Sequence, residues 1–396
     1  MVTSSHHSPL NLPLISVASA LLAAAVGASY AYVDLSLNRM GVSATAIGLN
    51  AAMPALGWLL ATPLMPWALR RFNSKALLLG LLAVAIVAIL GFPAMPDPDA
   101  WMVLRFLFGG GTGMVFRLVE YWINAASPET HRARNVGIYA TAFATGAMIG
   151  AAVTPMVRVE GWPPIIMMAA LTLAACIVFA VIRGGPPTIE STPSNGNWRL
   201  YRDGAFIALF GIFVFGLFEA VPYTLMPVYA MRLGLADHWA VWCASAAIGG
   251  QIVMAIPIGV LADRYGKIRV LTGSAIVALA IPAIIPTATH SPEFLLVAML
   301  AWGGFAGSLY NVALAMLADR FRGAELAAAN AAFGTLYALG NLVGPPLHGL
   351  AMDWRDPQGL MVSAASLFGL FLCVLFWHSW RARGAIWTAA TKSSPD

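Results

Sequence analysis

Apolar runs of about twenty residues recur along the whole 396-residue chain, separated by short polar breaks. A helix needs roughly 20 predominantly apolar residues to cross the hydrocarbon layer of a bilayer, so each run predicts a membrane span. Twelve are read, at 13–35, 46–69, 75–95, 100–123, 135–157, 163–183, 204–230, 239–262, 269–287, 293–316, 329–351 and 358–379. The first run follows a tail without Lys or Arg and is long enough to span. It is therefore expected to be a retained helix and not a cleaved signal peptide.

The longest interior polar stretch, residues 184–203, is rich in Gly, Pro, Ser and Asn and reads as a linker. It divides the chain into halves of six spans each, 1–183 and 204–396. Shifting one half onto the other by 193 residues pairs Tyr30 with Tyr223, Pro93 with Pro286, and Gly110-Gly111 with Gly303-Gly304. One further residue of offset pairs Gly146 and Gly150 with Gly340 and Gly344. The shared order predicts an internal duplication, an all-α membrane protein of twelve transmembrane helices in two pseudo-symmetric six-helix bundles. Duplicated bundles of this kind place a substrate site between the halves near the midplane and rock one half against the other.

Composition supports this picture and removes some alternatives. Hydrophobic residues make up 60% of the chain and charged residues 10%, with a mean hydropathy of +0.78. Soluble chains carry about 25% charged residues. The formal net charge of +5 sits in short loops, and no basic run is longer than Arg70-Arg71, so no nucleic-acid partner is expected. Sixteen Lys and Arg residues fall on the side that holds both termini, against Arg39, Arg158, Arg232 and Arg355 in the opposite loops. The positive-inside rule then predicts cytoplasmic termini in a bacterial inner membrane. Cys176, Cys243 and Cys373 lie within apolar runs and read as packing residues. The histidines show no metal spacing, so neither a metal nor another cofactor is expected.

The turn after span eight reads Gly259-Val-Leu-Ala262-Asp263-Arg264-Tyr-Gly266-Lys267-Ile-Arg269. It resembles the G-x-x-x-D-R-x-G-R/K signature of the major facilitator superfamily, and the resemblance extends over essentially the whole chain. Span four adds Arg105-Phe-Leu-Phe-Gly109, similar to an R-x-x-x-G element associated with proton movement in the drug:proton antiporters of that family. Span eleven carries Gly340-Asn-Leu-Val-Gly344-Pro345, a G-x-x-x-G-P pattern. The resemblance implies the major facilitator fold and a transport function. It also implies a cytoplasmic latch of Gly259, Asp263, Arg264, Gly266 and Lys267 whose contacts break as the halves rock. There Gly259 would let two helices approach closely, and Asp263 would cap or charge-pair a helix terminus. Two departures count against the drug:proton antiporter branch and leave the fold untouched. The equivalent turn in the first half, Pro66-Trp-Ala-Leu-Arg70-Arg71-Phe-Asn73, lacks both the Gly and the Asp. Span five has Gly146-Ala-Met-Ile-Gly150-Ala151, with Pro155 only several residues later.

Ionisable groups inside spans cost about 2.5–3.5 kcal/mol each on insertion scales and tend to face a cavity or one another. Glu219, near the middle of span seven, is the sharpest case. Tyr223 follows four residues on, and Pro222 between them can loosen the helix. Glu219 is read as a proton or cation site, the alternative being a structural bond between helices. In span four, Arg105, Gly109, Thr112, Gly113, Phe116 and Glu120 fall on one stripe. Arg105 is a candidate for anion binding or proton coupling, or for a pair with a helix end or carbonyl. Arg117 and Glu120, near the cytoplasmic end, fit either a gate or substrate contact. Asp34 closes span one and reads either as a solvated helix end or as a further proton-coupling group. Tyr30, Tyr223, Gln251, Tyr310, Asn311, Tyr337 and Asn341 are polar candidates for a cavity or for ties between helices, and Trp302 beside Gly303-Gly304 is a candidate cavity wall.

The function expected is secondary active transport of a small molecule, coupled to protons, by a monomer embedded in lipid. No Walker-type nucleotide loop and no nucleophile–base constellation is found, so neither ATP-driven pumping by this chain nor an enzyme is expected. The alternatives are an uncoupled facilitator, and a sensor or assembly protein that binds without moving its ligand.

Overall fold

The structure, a computed structural model, describes residues 11–128, 131–157, 161–186, 205–287 and 291–392. Most of the expected linker lies outside these residues. The first set of helices is α1 (Asn11–Arg39), α2 (Ala44–Ala61), α3 (Met65–Arg71), α4 (Ser74–Ala94), α5 (Pro98–Ala126), α6 (Arg132–Val157) and α7 (Trp162–Val181). The second is α8 (Phe206–Glu219), α9 (Leu225–Arg232), α10 (Asp237–Tyr265), α11 (Lys267–Ile284), α12 (Pro292–Arg320), α13 (Gly323–Trp354) and α14 (Gly359–Lys392). Ten of the described helical segments are long and apolar enough to cross a bilayer. The two further spans read in the sequence correspond to α13 and to the broken pair α8–α9.

That break falls at Pro222, where the helix was expected to loosen, and it divides the single span read over 204–230 in two. Turns occupy residues 220–224. Pro222 has no amide hydrogen to return to Phe218, whose carbonyl instead accepts from Val221 N at 2.9 Å. Thr224 Oγ1 donates to the Ala220 carbonyl at 2.7 Å, which also accepts from Thr224 N at 3.1 Å, so this carbonyl stays satisfied within the turn.

The duplication is visible in the packing itself. Added Cβ atoms on Gly146 and Gly150 of α6 would strike the Ala20 and Ala24 carbonyls of α1. Their counterparts Gly340 and Gly344 of α13 press in the same way on Phe213, Gly216 and Leu217 of α8. Gly109 and Gly110 of α5 meet Pro54 and Gly57 of α2, and Gly303 and Gly304 of α12 meet Ala247 and Gly250 of α10. Caps repeat as well. Asp97 before Pro98 accepts from Ala100 N, and Ser291 before Pro292 accepts from Phe294 N. Small residues allow this close approach because lipid supplies no hydrophobic drive, so van der Waals contact has to hold the helices together. Large apolar side chains such as Val87, Val181 and Ile256 are exposed on the outside, where acyl chains can cover them.

The two bundles join tightly at the end that carries Arg39. Asp353, at the end of α13, accepts from Ala44 N (2.8 Å), Thr45 N (2.7 Å) and Thr45 Oγ1 (2.6 Å) at the start of α2. Arg39 pairs with Asp237, and Arg232 donates to Asn38 Oδ1 at 3.4 Å. Gly349 and Gly48 bring the backbones of α13 and α2 together just beneath. At the opposite end, Lys267 pairs with Asp319, and Lys75 donates to the Ala180 and Ile182 carbonyls, each within its own bundle.

Candidate functional site

Between the bundles lies a cavity of about 360 Å³. Its wall comes from α1 (Val26, Tyr30), α6 (Phe143, Ala147), the α8–α9 break (Glu219, Tyr223), α10 (Ile248, Gln251) and α13 (Tyr337, Asn341). A second lobe of about 210 Å³ shares Tyr30, Tyr337 and Asn341 and is lined further by Trp58, Phe108, Thr112 and Phe116. The stripe read on span four therefore does face open space, through Gly109, Thr112, Gly113 and Phe116.

Glu219 sits where α8 ends, with its side chain on the cavity wall. Tyr337 Oη and Asn341 Nδ2 (3.2 Å) both donate to Glu219 Oε2. The spacing of Tyr337 and Asn341, four apart, puts both donors on one face of α13. Tyr223 Oη accepts from Gln251 Nε2 at 3.2 Å, and the Tyr223 ring lies 6.2 Å from that of Tyr30. The duplicated tyrosines thus meet across the bundle interface. Trp58 of α2 packs edge-on against Tyr337 at 6.3 Å.

Behind Tyr30 the structure places a buried ion pair. Arg105 Nη1 stands 3.5 Å from Asp34 Oδ1, and both side chains are fully buried. Arg105 also donates to the Ser29 carbonyl (3.3 Å), and its guanidinium lies 4.4 Å over the Tyr30 ring. The reading of Asp34 as a solvated helix end is therefore corrected. Helix α1 runs on to Arg39, which moves Asp34 a full turn inside. Neither Asp34 nor Arg105 lines the cavity; they reach it through Tyr30.

Other candidates fall elsewhere. Trp302 is fully buried in the core of the second bundle and donates to the Ala278 carbonyl at 3.0 Å, so it walls no cavity. Tyr310 belongs to an aromatic cluster with Phe215, Phe333 and Tyr337, one layer behind the wall. Asn311, next to it, is exposed. Arg117 stacks over Trp58 at 4.6 Å and approaches Gly334, while Glu120 lines a separate depression with Tyr121 and Asn124. Gly259 was expected to permit close helix approach, yet nothing lies within 4 Å of the place its Cβ would take. Gly250, two and a half turns earlier on α10, does that work against Leu300. Gly266 turns the chain with φ +94°, and Arg264 lies 5.4 Å over Tyr265. Among the described residues no cluster of His, Cys, Asp and Glu is able to hold a metal ion.

The profile of the Major Facilitator Superfamily matches residues 14–250 and 238–394, which together take in nearly all of the chain. The chain belongs to the Major Facilitator Superfamily. A relative from Bacillus subtilis (strain 168), named as the uncharacterized MFS-type transporter YfkF, is 29% identical over 339 residues, covering 83% of this chain and 85% of its own. The MFS-type transporter YcaD of Escherichia coli (strain K12 / DH10B) is 26% identical over 365 residues, covering 90% and 92%. Among solved structures, the nucleoside transporter NupG superposes with a TM-score of 0.75 at 13% identity, over 93% of this chain and 98% of its own. A D-xylose–proton symporter superposes at 0.73 and 16% identity, over 93% and 96%. At such identities the superpositions speak for the fold alone. This member of the superfamily is a multi-pass membrane transporter, and its cavity occupies the place between bundles where a duplicated transporter holds its substrate.

Two features were not foreseen. Tyr337 and Asn341 were read as separate polar groups, although their spacing already placed them together. Nothing in the sequence sets Asp353 apart, because an acid at a helix end is common and its role shows only with the start of α2 against it.

Proposed function

We propose that this chain is a secondary active transporter that moves a small molecule by alternating access and is driven by the proton gradient. One observation carries the reading: a carboxyl group, Glu219, on the wall of a cavity between the bundles, at a break in its own helix. A charge there is too costly to be incidental. The break leaves backbone carbonyls free to follow a change in its protonation. Glu219 is the titrating group. Arg105 and Asp34 form a fixed charge pair that senses the cavity through Tyr30. Arg117 and Glu120 guard the mouth at the Lys267 end.

Two further observations support a cavity that is closed toward the Arg39 end and accessible from the other. The bonds that join the bundles cluster at the Arg39 end, and at the opposite end the Lys267–Asp319 pair and the Lys75 hydrogen bonds each stay within one bundle. The distribution of Lys and Arg supports assigning the Lys267 end to the cytoplasm of a bacterial inner membrane. The halves 1–183 and 204–396 would then be the two rocking bodies of a monomer.

The test is uptake into proteoliposomes under an imposed pH gradient, using a panel of radiolabelled amines, weak acids, sugars and nucleosides. At least one solute should accumulate, and a protonophore should abolish its accumulation. Uptake that only equilibrates, without response to the gradient, would support an uncoupled facilitator instead.

A further inference from the structure

The cavity is electrically lopsided. Glu219 is the one ionisable acid on its wall, and no Lys, Arg or His lines either lobe among the described residues. Arg105 is fully buried behind Tyr30 and already faces Asp34, so its charge is answered before a ligand arrives; Arg117 stacks on the Trp58 ring of the second lobe and lines neither lobe itself. Both donors to Glu219 hold the same oxygen, Oε2, which leaves Oε1 with its acceptor capacity unspent. The remaining surface is largely aromatic and aliphatic, with the rings of Tyr30, Phe143 and Tyr223 on the same wall.

We propose that this cavity selects a singly charged organic cation, with its positive centre against Glu219 Oε1 and its apolar body among those rings. A ring face attracts a cation, and more strongly where water is excluded. A carboxylate-bearing ligand would meet Glu219 without a free base to offset it. A zwitterion would leave its own carboxylate unpaired, which is costly in a dry site. An inorganic cation needs a shell of several oxygen ligands at close range, and this wall offers one carboxylate, with Tyr223 and Gln251 bonded to each other and Tyr337 and Asn341 bonded to Glu219. Because the proton and the cation seek the same oxygen, one proton leaves Glu219 as one cation binds. The groups facing Glu219 are Tyr337 and Asn341 from α13, Tyr223 from the break, Tyr30 from α1 and, one layer back, Tyr310 from α12. None of these is a base, so the exchange belongs to Glu219 itself.

The inference rests on the transport reading only in treating the bound molecule as cargo. It is tested by calorimetry on the full chain in nanodiscs with three probes of one shape: benzyltrimethylammonium, benzyl alcohol and phenylacetate. The ammonium ion should bind, release about one proton, and weaken roughly tenfold or more in Glu219→Gln. It should also weaken as the pH of wild-type protein is lowered, which keeps the test intact if the variant fails to fold. Phenylacetate binding as well as the ammonium ion, failure of the ammonium ion to bind, or an unchanged affinity in Glu219→Gln would each overturn the inference. Cation binding without gradient-driven uptake would sink the transport reading and leave the site standing. Gradient-driven uptake of a sugar or an acid, with no cation binding, would do the reverse.

Discussion

Removing the Asp353 side chain should open the Arg39 end. In the closed arrangement this carboxylate caps α2 from the other bundle, taking hydrogen bonds from Ala44 N, Thr45 N and Thr45 Oγ1. Loss of an N-cap acceptor typically costs about 1 kcal/mol, within a range of roughly 0.5–2. The Arg232 contact, at 3.9 Å and partly exposed, adds little, because pairs that solvent reaches are screened. The cap exists only while the bundles are together, so the whole cost falls on the closed state. About 1 kcal/mol shifts the closed-to-open ratio roughly fivefold. The assay is the distance between spin labels at Met40 and His238, one on each bundle, with Cys176, Cys243 and Cys373 replaced by Ala. Asp353→Ala should move population to longer distances by about that factor. Asp353→Asn should move it less, since Asn keeps one of the two acceptor oxygens. The pH response follows from the same contacts. Partial burial pushes the Asp353 carboxyl up, but the hydrogen bonds from Thr45 and Ala44 and the charge of Arg232 outweigh this and hold it below the ordinary 3.8. A lowered folded-state value gives stabilisation that is complete above the ordinary carboxylate range and is lost only as pH falls through the lowered value. The Asp353 contribution should therefore be constant between pH 5 and pH 8. Unchanged distances in Asp353→Ala would refute the reasoning, and an equal shift in Asp353→Asn would show that a single acceptor oxygen does not hold this end closed.

Two further outcomes are expected. Gly250→Ala drives a Cβ into the Leu300 backbone and should destabilise by about 1–3 kcal/mol, whereas Gly259→Ala meets open space and should be neutral or gain up to about 1 kcal/mol from helix propensity; thermal melts in detergent compare them. Removing either partner of the buried Asp34–Arg105 pair should cost about 3–5 kcal/mol, while replacing both with apolar residues should cost clearly less; a double-mutant cycle on the melting curves reads the difference.

The fold was legible because lipid imposes long apolar runs, and because the duplication left Gly and Pro in register. Gly146 and Gly150 sit at the same kind of helix contact as Gly340 and Gly344, whereas Gly111 meets Leu81 of α4 and its partner Gly304 meets α10, so Gly109-Gly110 is the pair that matches Gly303-Gly304 in the packing. Span seven misled because hydropathy cannot see a backbone break: Ala220 to Thr224 are apolar enough to pass as helix. Depth along a span was the weaker inference. Asp34 looked terminal because the run after it turns polar, yet Ser36, Asn38 and Arg39 complete the helix. Trp302 looked available beside two glycines, but those glycines face α10 while the indole packs into the core against Ala278 of α11 and Phe218 of α8. The meeting of Glu219 with Tyr337 and Asn341 depends on how α8 faces α13, a tertiary fact that a single chain does not spell out.

The central claim is that Glu219 carries the proton whose movement drives transport. Proteoliposomes holding a pH-sensitive dye, given the accumulating solute on one side, report proton movement in the same trace as solute uptake. Wild-type protein should move protons on solute addition. Glu219→Gln should still exchange labelled for unlabelled solute across the membrane, while losing both the proton signal and uphill accumulation. Solute-triggered proton movement and accumulation that persist in Glu219→Gln would contradict the account.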